Sequence, residues 1–141
     1  MYARGCIVGL TRGVNRAHFC RAVLESITYQ MTDLLEAMTA DSDIELSELR
    51  VDGGASVSDI MMQIQADMIR CSVNRPRNVE TTALGAAYLA GLAVGLWEST
   101  EEIQHNRVVE KVFEPETDIE KRNALYAGWK KAVDCSMGWA K

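Results

Sequence analysis

The sequence contains no G-x-x-x-x-G-K-[ST] stretch, no G-x-S-x-G, no H-E-x-x-H and no C-x-x-C pair. These absences exclude a P-loop, a nucleophile elbow, a zinc-protease helix and a dithiol redox or zinc site. Cys6, Cys20, Cys71 and Cys135 are widely spaced and read as buried, reduced thiols, which fits a cytoplasmic protein. His18 and His105 stand far apart with no ligand pattern around them, so both are read as ordinary polar positions. No basic stripe accompanies the net charge of -5, and Arg70, Arg75, Arg77 and Arg107 are scattered, which argues against nucleic acid as a partner. The uncharged run 81–97 is short for a membrane span and is interrupted by glycines and Tyr88. Met1-Tyr2-Ala3-Arg4-Gly5 lacks the apolar core of a signal peptide. No catalytic nucleophile, no telling carboxylate pair and no metal-ligand set is found, so no catalytic and no metal-binding residue is assigned.

What is present begins at Leu49-Arg50-Val51-Asp52-Gly53-Gly54-Ala55-Ser56. An apolar, strand-like run stops at a glycine pair, and a helix with its own start signal follows. Glycines there allow close backbone approach by a ligand, because no Cβ intervenes. The following helix turns its free N–H groups and positive dipole end to the same place. Asp52, at the strand end, is read as a cap for the turn.

Around this junction the 141 residues read as one domain, 1–141. Residues 6–10 read as a buried strand. Over 17–38, Cys20, Leu24, Ile27, Met31, Leu34 and Met38 recur at helical spacing and predict a long amphipathic helix with that stripe in the core. Residues 49–51 and 71–73 read as further strands. Ser56 and Asp59 have capping-box spacing, so a helix is expected from about Val57 with Ile60, Met61, Ile64 and Met68 buried. A small-residue helix covers 83–94 with Gly95 as its C-cap. A short helix falls in 101–106, and a last one opens at the box Thr117-x-x-Glu120, with Tyr126, Trp129, Val133 and Met137 on one face. Strands alternating with helices imply an α/β layer with parallel pairs and right-handed crossovers. Three strands make a thin sheet for so many helices, so the chain is expected to be part of a larger domain.

Several segments together resemble the C-terminal signature of the FGGY carbohydrate kinases, most nearly those acting on glycerol. They are Ala3-Arg4-Gly5, Gly9-Leu10-Thr11-Arg12-Gly13, Leu24-Glu25-Ser26, Arg50-Val51-Asp52-Gly53-Gly54-Ala55, Met62-Gln63, Thr82-Ala83-Leu84-Gly85-Ala86-Ala87-Tyr88 and Tyr126-Ala127-Gly128-Trp129-Lys130-Lys131. The resemblance covers essentially the whole chain. It implies an actin-like ATPase (ribonuclease H-like) domain, here its C-terminal part with an incomplete sheet and a C-terminal helical tail. It further implies ATP-dependent phosphorylation of glycerol to sn-glycerol 3-phosphate by the full-length enzyme, with ATP/ADP and Mg2+ as its ligands. Glycerol would be held by an N-terminal domain upstream of Met1, and the whole would be a cytoplasmic homo-oligomer. The residues that the resemblance maps onto adenosine contact are Gly54 and Ser58, and Gly53, the first glycine of the pair, is counted with them as nucleotide-binding. Ser58 departs from the family's asparagine, keeping a hydroxyl and losing the reach of an amide. Two alternatives remain: another sugar or polyol kinase of the family, or a non-catalytic nucleotide-binding or interaction module. The isolated chain is expected to have no kinase activity.

Overall fold

Helix α2 (Asp59–Ile69) is the centre of the molecule, and seven of its eleven residues are buried. We describe residues 2–104 and 106–140 from a computed structural model of the chain. One side of α2 lies on a three-stranded sheet, where Met61, Met62 and Ala66 pack with Val73 and Phe113. On the other side, Ile64 and Met68 meet Tyr29 and Tyr126. The expected buried set is therefore corrected at one position: Ile60 is 58% exposed and Met62 takes its place.

The sheet runs β1 (Glu48–Arg50), β2 (Ser72–Pro76), β3 (Val109–Phe113) in that order. β1 and β2 are parallel, with Leu49 opposite Val73, and α2 supplies the crossover between them. β3 pairs antiparallel with β2, with Val73 opposite Phe113, and the register slips at Arg75/Pro76. Proline has no N–H to give the ladder, so pairing degrades there. The expectation of parallel pairs holds only for β1–β2, and β3 was not anticipated.

Residues 6–10 form no strand. They lie exposed along the C-terminal helix α5 (Ile119–Ser136), with the amide of Arg4 reaching Ser136 O at 3.3 Å and the thiol of Cys6 facing Ala132 O. A short apolar run becomes a strand only where a neighbouring strand offers its ladder, and none of the three described strands does.

Helix α1 (Arg16–Ser42) is longer than expected. Asn15 caps it by accepting from the amides of Ala17 and His18, while the His18 ring accepts from the Asn15 amide. Its buried face is Thr28, Tyr29 and Thr32. The two threonine hydroxyls bond the carbonyls of Glu25 and Thr28, each at 2.8 Å, so both residues are buried with their polar groups satisfied on their own helix. The expected stripe points outward: Ile27, Met31, Leu34 and Met38 are 40% to 56% exposed, and Cys20 is exposed, while Leu24 alone touches the core.

Asp33 holds α5 to α1. Its carboxylate accepts from the Trp129 indole at 2.7 Å, the Tyr126 hydroxyl and the Lys130 ammonium. Tyr29 stacks on Trp129 with ring centroids 5.6 Å apart. Asp118 rather than Thr117 caps α5, because the Thr117 hydroxyl and amide are bound to the buried Asp67. On the expected face of α5, Tyr126 is buried and Met137 is exposed. Helix α3 (Thr81–Ala93) ends with Gly95 at φ +74, just beyond the cap residue Val94. Helix α4 (Thr100–Gln104) precedes His105, which lies outside the described residues, as do Met1 and Lys141. Only Cys71 of the four cysteines is buried, so the expectation of buried thiols fails for the other three; none is paired.

A self-contained chain of 15.6 kDa exposes about 7,200 Å². This one exposes 10118 Å². The difference, roughly 2,900 Å², exceeds what each partner buries in a standard interface of about 800 Å² per side.

Candidate functional site

β1 ends at Arg50, and one further ladder bond, from the Val51 amide to Asn74 O, carries the chain to Asp52. Gly53 then adopts φ 77 and ψ 172, a backbone region closed to side chains bearing a Cβ, and donates its amide to Val79 O at 2.9 Å. Residues Gly54–Val57 form a 3-10 turn. The buried Ser56 closes it twice, its amide and its hydroxyl both donating to Gly53 O.

This arrangement corrects the capping-box reading. Ser56 is occupied with the turn, and Ser58 caps α2, its Oγ accepting from the Met61 amide at 3.3 Å. Helix α2 starts at Asp59, whose carboxylate lies in the positive first turn. Because the Ser58 oxygen serves as acceptor, its hydroxyl proton is left for another partner.

Gly54 is exposed, and a Cβ built on it meets nothing within 4 Å. The turn thus presents bare backbone at the mouth of α2, with Ser58 half-buried behind it. The structure brings Gly53, Gly54 and Ser58 onto one short segment.

Asp52 does not cap its own turn. It accepts from the Thr81 hydroxyl in the first turn of α3, a helix whose own N-cap position, Glu80, makes no side-chain capping bond. With the Gly53–Val79 bond, this ties the turn to the start of α3. Thr81 also lines an adjoining cavity of about 620 Å³, walled by Pro76, Arg77, Leu84, Tyr88 and Arg107.

Arg75 anchors the turn from below, a contact that the sequence reading missed. It extends from β2 under the turn and is 6% exposed along its side chain. Nη1 donates to the carbonyls of Ser56 at 2.9 Å and Val57 at 3.1 Å. Nη2 pairs with Asp59 at 2.8 Å and Nε with Glu110 at 2.9 Å. Asp59 also pairs with Lys111, and these two cations hold its carboxyl below the usual carboxylate range, the Lys111 bond contributing more. Arg75 and Lys111 stand directly opposite each other across β2 and β3, so Asp59 and Glu110 neutralise a cross-strand repulsion. The sequence signal was a lone arginine between a strand and a proline, which does not announce such a network.

Among the described residues, no three His, Cys, Asp or Glu side chains converge as metal ligands. No described helix is long and apolar enough to cross a membrane.

The chain superimposes on kinases of the actin-like class and shares their fold. Residues 2–94 match the C-terminal domain of the FGGY family of carbohydrate kinases, and the chain belongs to that family. It is 60% identical over 141 residues to a glycerol kinase of Thermoanaerobacter sp. (strain X514), covering all of this chain and 28% of that one. The crystal structure of Plasmodium falciparum glycerol kinase with ADP superimposes with a TM-score of 0.84 at 36% identity, over 96% of this chain and 27% of that one. A gluconate kinase from Lactobacillus acidophilus superimposes with a TM-score of 0.70 at 26% identity, over 96% and 26%. The chain therefore spans little more than a quarter of the length of the relatives it matches.

Proposed function

We propose that this chain supplies the adenosine-binding side of a cytoplasmic enzyme that transfers a phosphoryl group from ATP to glycerol, forming sn-glycerol 3-phosphate. The observation that carries the reading is 60% identity to a glycerol kinase over the whole chain. Glycerol is favoured over another sugar or polyol by the contrast with the gluconate kinase, at 26%. The ADP in the Plasmodium structure supports the nucleotide assignment.

Phosphoryl transfer depends mainly on positioning and electrostatic stabilisation. In this reading Gly53 sets the turn and Gly54 lets the nucleotide approach bare backbone. The Ser58 hydroxyl donates a hydrogen bond to it, and the N-terminus of α2 favours negative charge nearby. Mg2+ accompanies ATP, and its ligands are assigned to no residue of this chain. Glycerol and the groups that act on its hydroxyl belong to the other three quarters of such a kinase. The excess surface and the outward stripe of α1 support a domain completed by further polypeptide, and the assembled enzyme is taken as a homo-oligomer.

A coupled assay with ATP and glycerol tests the reading. The chain alone is expected to show no turnover. Fused behind the preceding residues of the Thermoanaerobacter relative, it is expected to turn over glycerol and not gluconate. Turnover by the chain alone, or an inactive but folded fusion, would overturn it. Gly54→Val is the site-specific probe: a Cβ there meets nothing within 4 Å, so ATP binding lost with the unfolding midpoint unchanged reports the ligand rather than misfolding.

A further inference from the structure

We infer that Arg75 is a positioning residue for the nucleotide, acting through the backbone between Gly54 and Ser58; the inference rests on the assignment of that turn to nucleotide binding. The argument starts from the peptide units. The Val57 carbonyl and the Ser58 amide share one plane. Arg75 Nη1 holds the carbonyl at 3.1 Å, and the Ser58 amide donates the other way to Ala55 O at 3.3 Å. The plane is fixed at both ends, and with it the direction in which Ser58 leaves the backbone. The preceding plane is held in the same way, through Ser56 O at 2.9 Å. Asp59, immediately after Ser58, is held by Nη2. One guanidinium thus grips three points of the segment 56–59: the Ser56 and Val57 carbonyls and the Asp59 carboxylate.

The chemistry calls for arginine. Two adjacent carbonyls and a carboxylate must be met by donors in a fixed fork, and a lysine ammonium is a point charge that cannot span them. Withdrawing a guanidinium from water costs several kcal/mol unless its donors are met. Here they are met by the turn itself and by Glu110, with the Phe113 ring 5.2 Å away. The anchor also sits on β2, the central strand, so the turn takes its position from the sheet rather than from its own glycine-rich backbone.

The test is binding of ATP and of a fluorescent ATP derivative to the chain at a temperature well below its unfolding midpoint. Four proteins are compared: the unaltered chain, Gly54→Val, Arg75→Lys and Glu110→Gln. Arg75→Lys keeps the charge beside Asp59 and Glu110 and loses the fork, and it is expected to weaken binding about tenfold. Glu110→Gln removes a partner that does not touch the turn, and is expected to change binding less than about twofold. Amide exchange at Ser56 and Ser58 should quicken in Arg75→Lys while exchange in β2 and β3 stays as it was. If Gly54→Val abolishes binding and Arg75→Lys does not alter it, the positioning role is wrong and the turn assignment stands. If Gly54→Val binds as the unaltered chain does, or the unaltered chain binds no ATP, the turn assignment itself is overturned. A lower unfolding midpoint with unchanged affinity would make Arg75 structural only and overturn the inference.

Discussion

Replacing Asp33 should loosen the C-terminal helix by an amount that its three donors set. The Lys130 ammonium is half exposed, so its share is about 0–1 kcal/mol. The Tyr126 hydroxyl has a second acceptor in Glu36 at 3.0 Å and is not left alone. The Trp129 indole has no other acceptor among the described residues and would lose its partner, which costs about 1–3 kcal/mol. Asp33→Ala should therefore destabilise the chain by about 1–4 kcal/mol in urea unfolding followed by tryptophan fluorescence. Asp33→Asn, which keeps one acceptor oxygen, should cost about half as much. A double-mutant cycle with Trp129→Phe should give a coupling of about 1–2 kcal/mol. The pH dependence has a definite sign. Burial acts to raise the Asp33 carboxyl, but the bonds from Lys130, Tyr126 and Trp129 together outweigh it and hold the carboxyl below its ordinary value. Its contribution is thus present above the unfolded pKa of about 3.9 and disappears as pH falls through the lower folded value. If Asp33→Ala costs less than about 0.5 kcal/mol at pH 7, the Asp33 bonds do not anchor α5 and the argument fails.

Two glycines of α3 should respond in opposite directions. A Cβ at Gly85 meets nothing within 4 Å, so Gly85→Ala should stabilise by about 0.5–1 kcal/mol; a Cβ at Gly91 would fall 2.1 Å from the Trp97 ring, which packs edge-on against Tyr88, so Gly91→Ala should lower the urea midpoint. Asp67, buried and bonded by the amides of Glu116 and Thr117, has its carboxyl held low because those donors outweigh burial; the stability gap between Asp67→Asn and the unaltered chain should be widest above pH 5 and close as pH falls through the folded pKa, in urea midpoints taken at each pH. Ile64→Ala should cost about 2–5 kcal/mol, whereas Ile27→Gln on the outward stripe of α1 should stay within about 0.5 kcal/mol in the same assay.

The elements set by local chemistry were legible in the sequence. Gly53-Gly54 after an apolar run marked the turn, and the serines and Asp59 placed the start of α2 to within two residues. Gly95 marked the end of α3. Elements defined by distant partners were not legible. Residues 6–10 have the composition of a buried strand, but a strand needs a neighbour's ladder as well as apolar side chains. In α1 the period of the stripe was right and its direction was wrong, because Thr28 and Thr32 satisfy their hydroxyls on their own helix and are buried there. β3 carried a signal in Val108-Val109 and Val112-Phe113, dense in strand-forming residues, that was passed over. Arg75 and Asp33 act across 16 to 97 residues of sequence, and no spacing rule reaches that far.

The outward stripe of α1 also makes the stability of this chain a quantity that depends on concentration. Any polypeptide that covers Val23, Ile27, Leu34 and Met38 binds the folded chain and has no such surface to grip once α1 has melted. Each tenfold rise of that polypeptide above its dissociation constant then adds about 1.4 kcal/mol to unfolding. Substitutions along the stripe that are silent in the chain by itself would register in full once such a polypeptide is bound, so stability maps of the two states should diverge along one face of one helix.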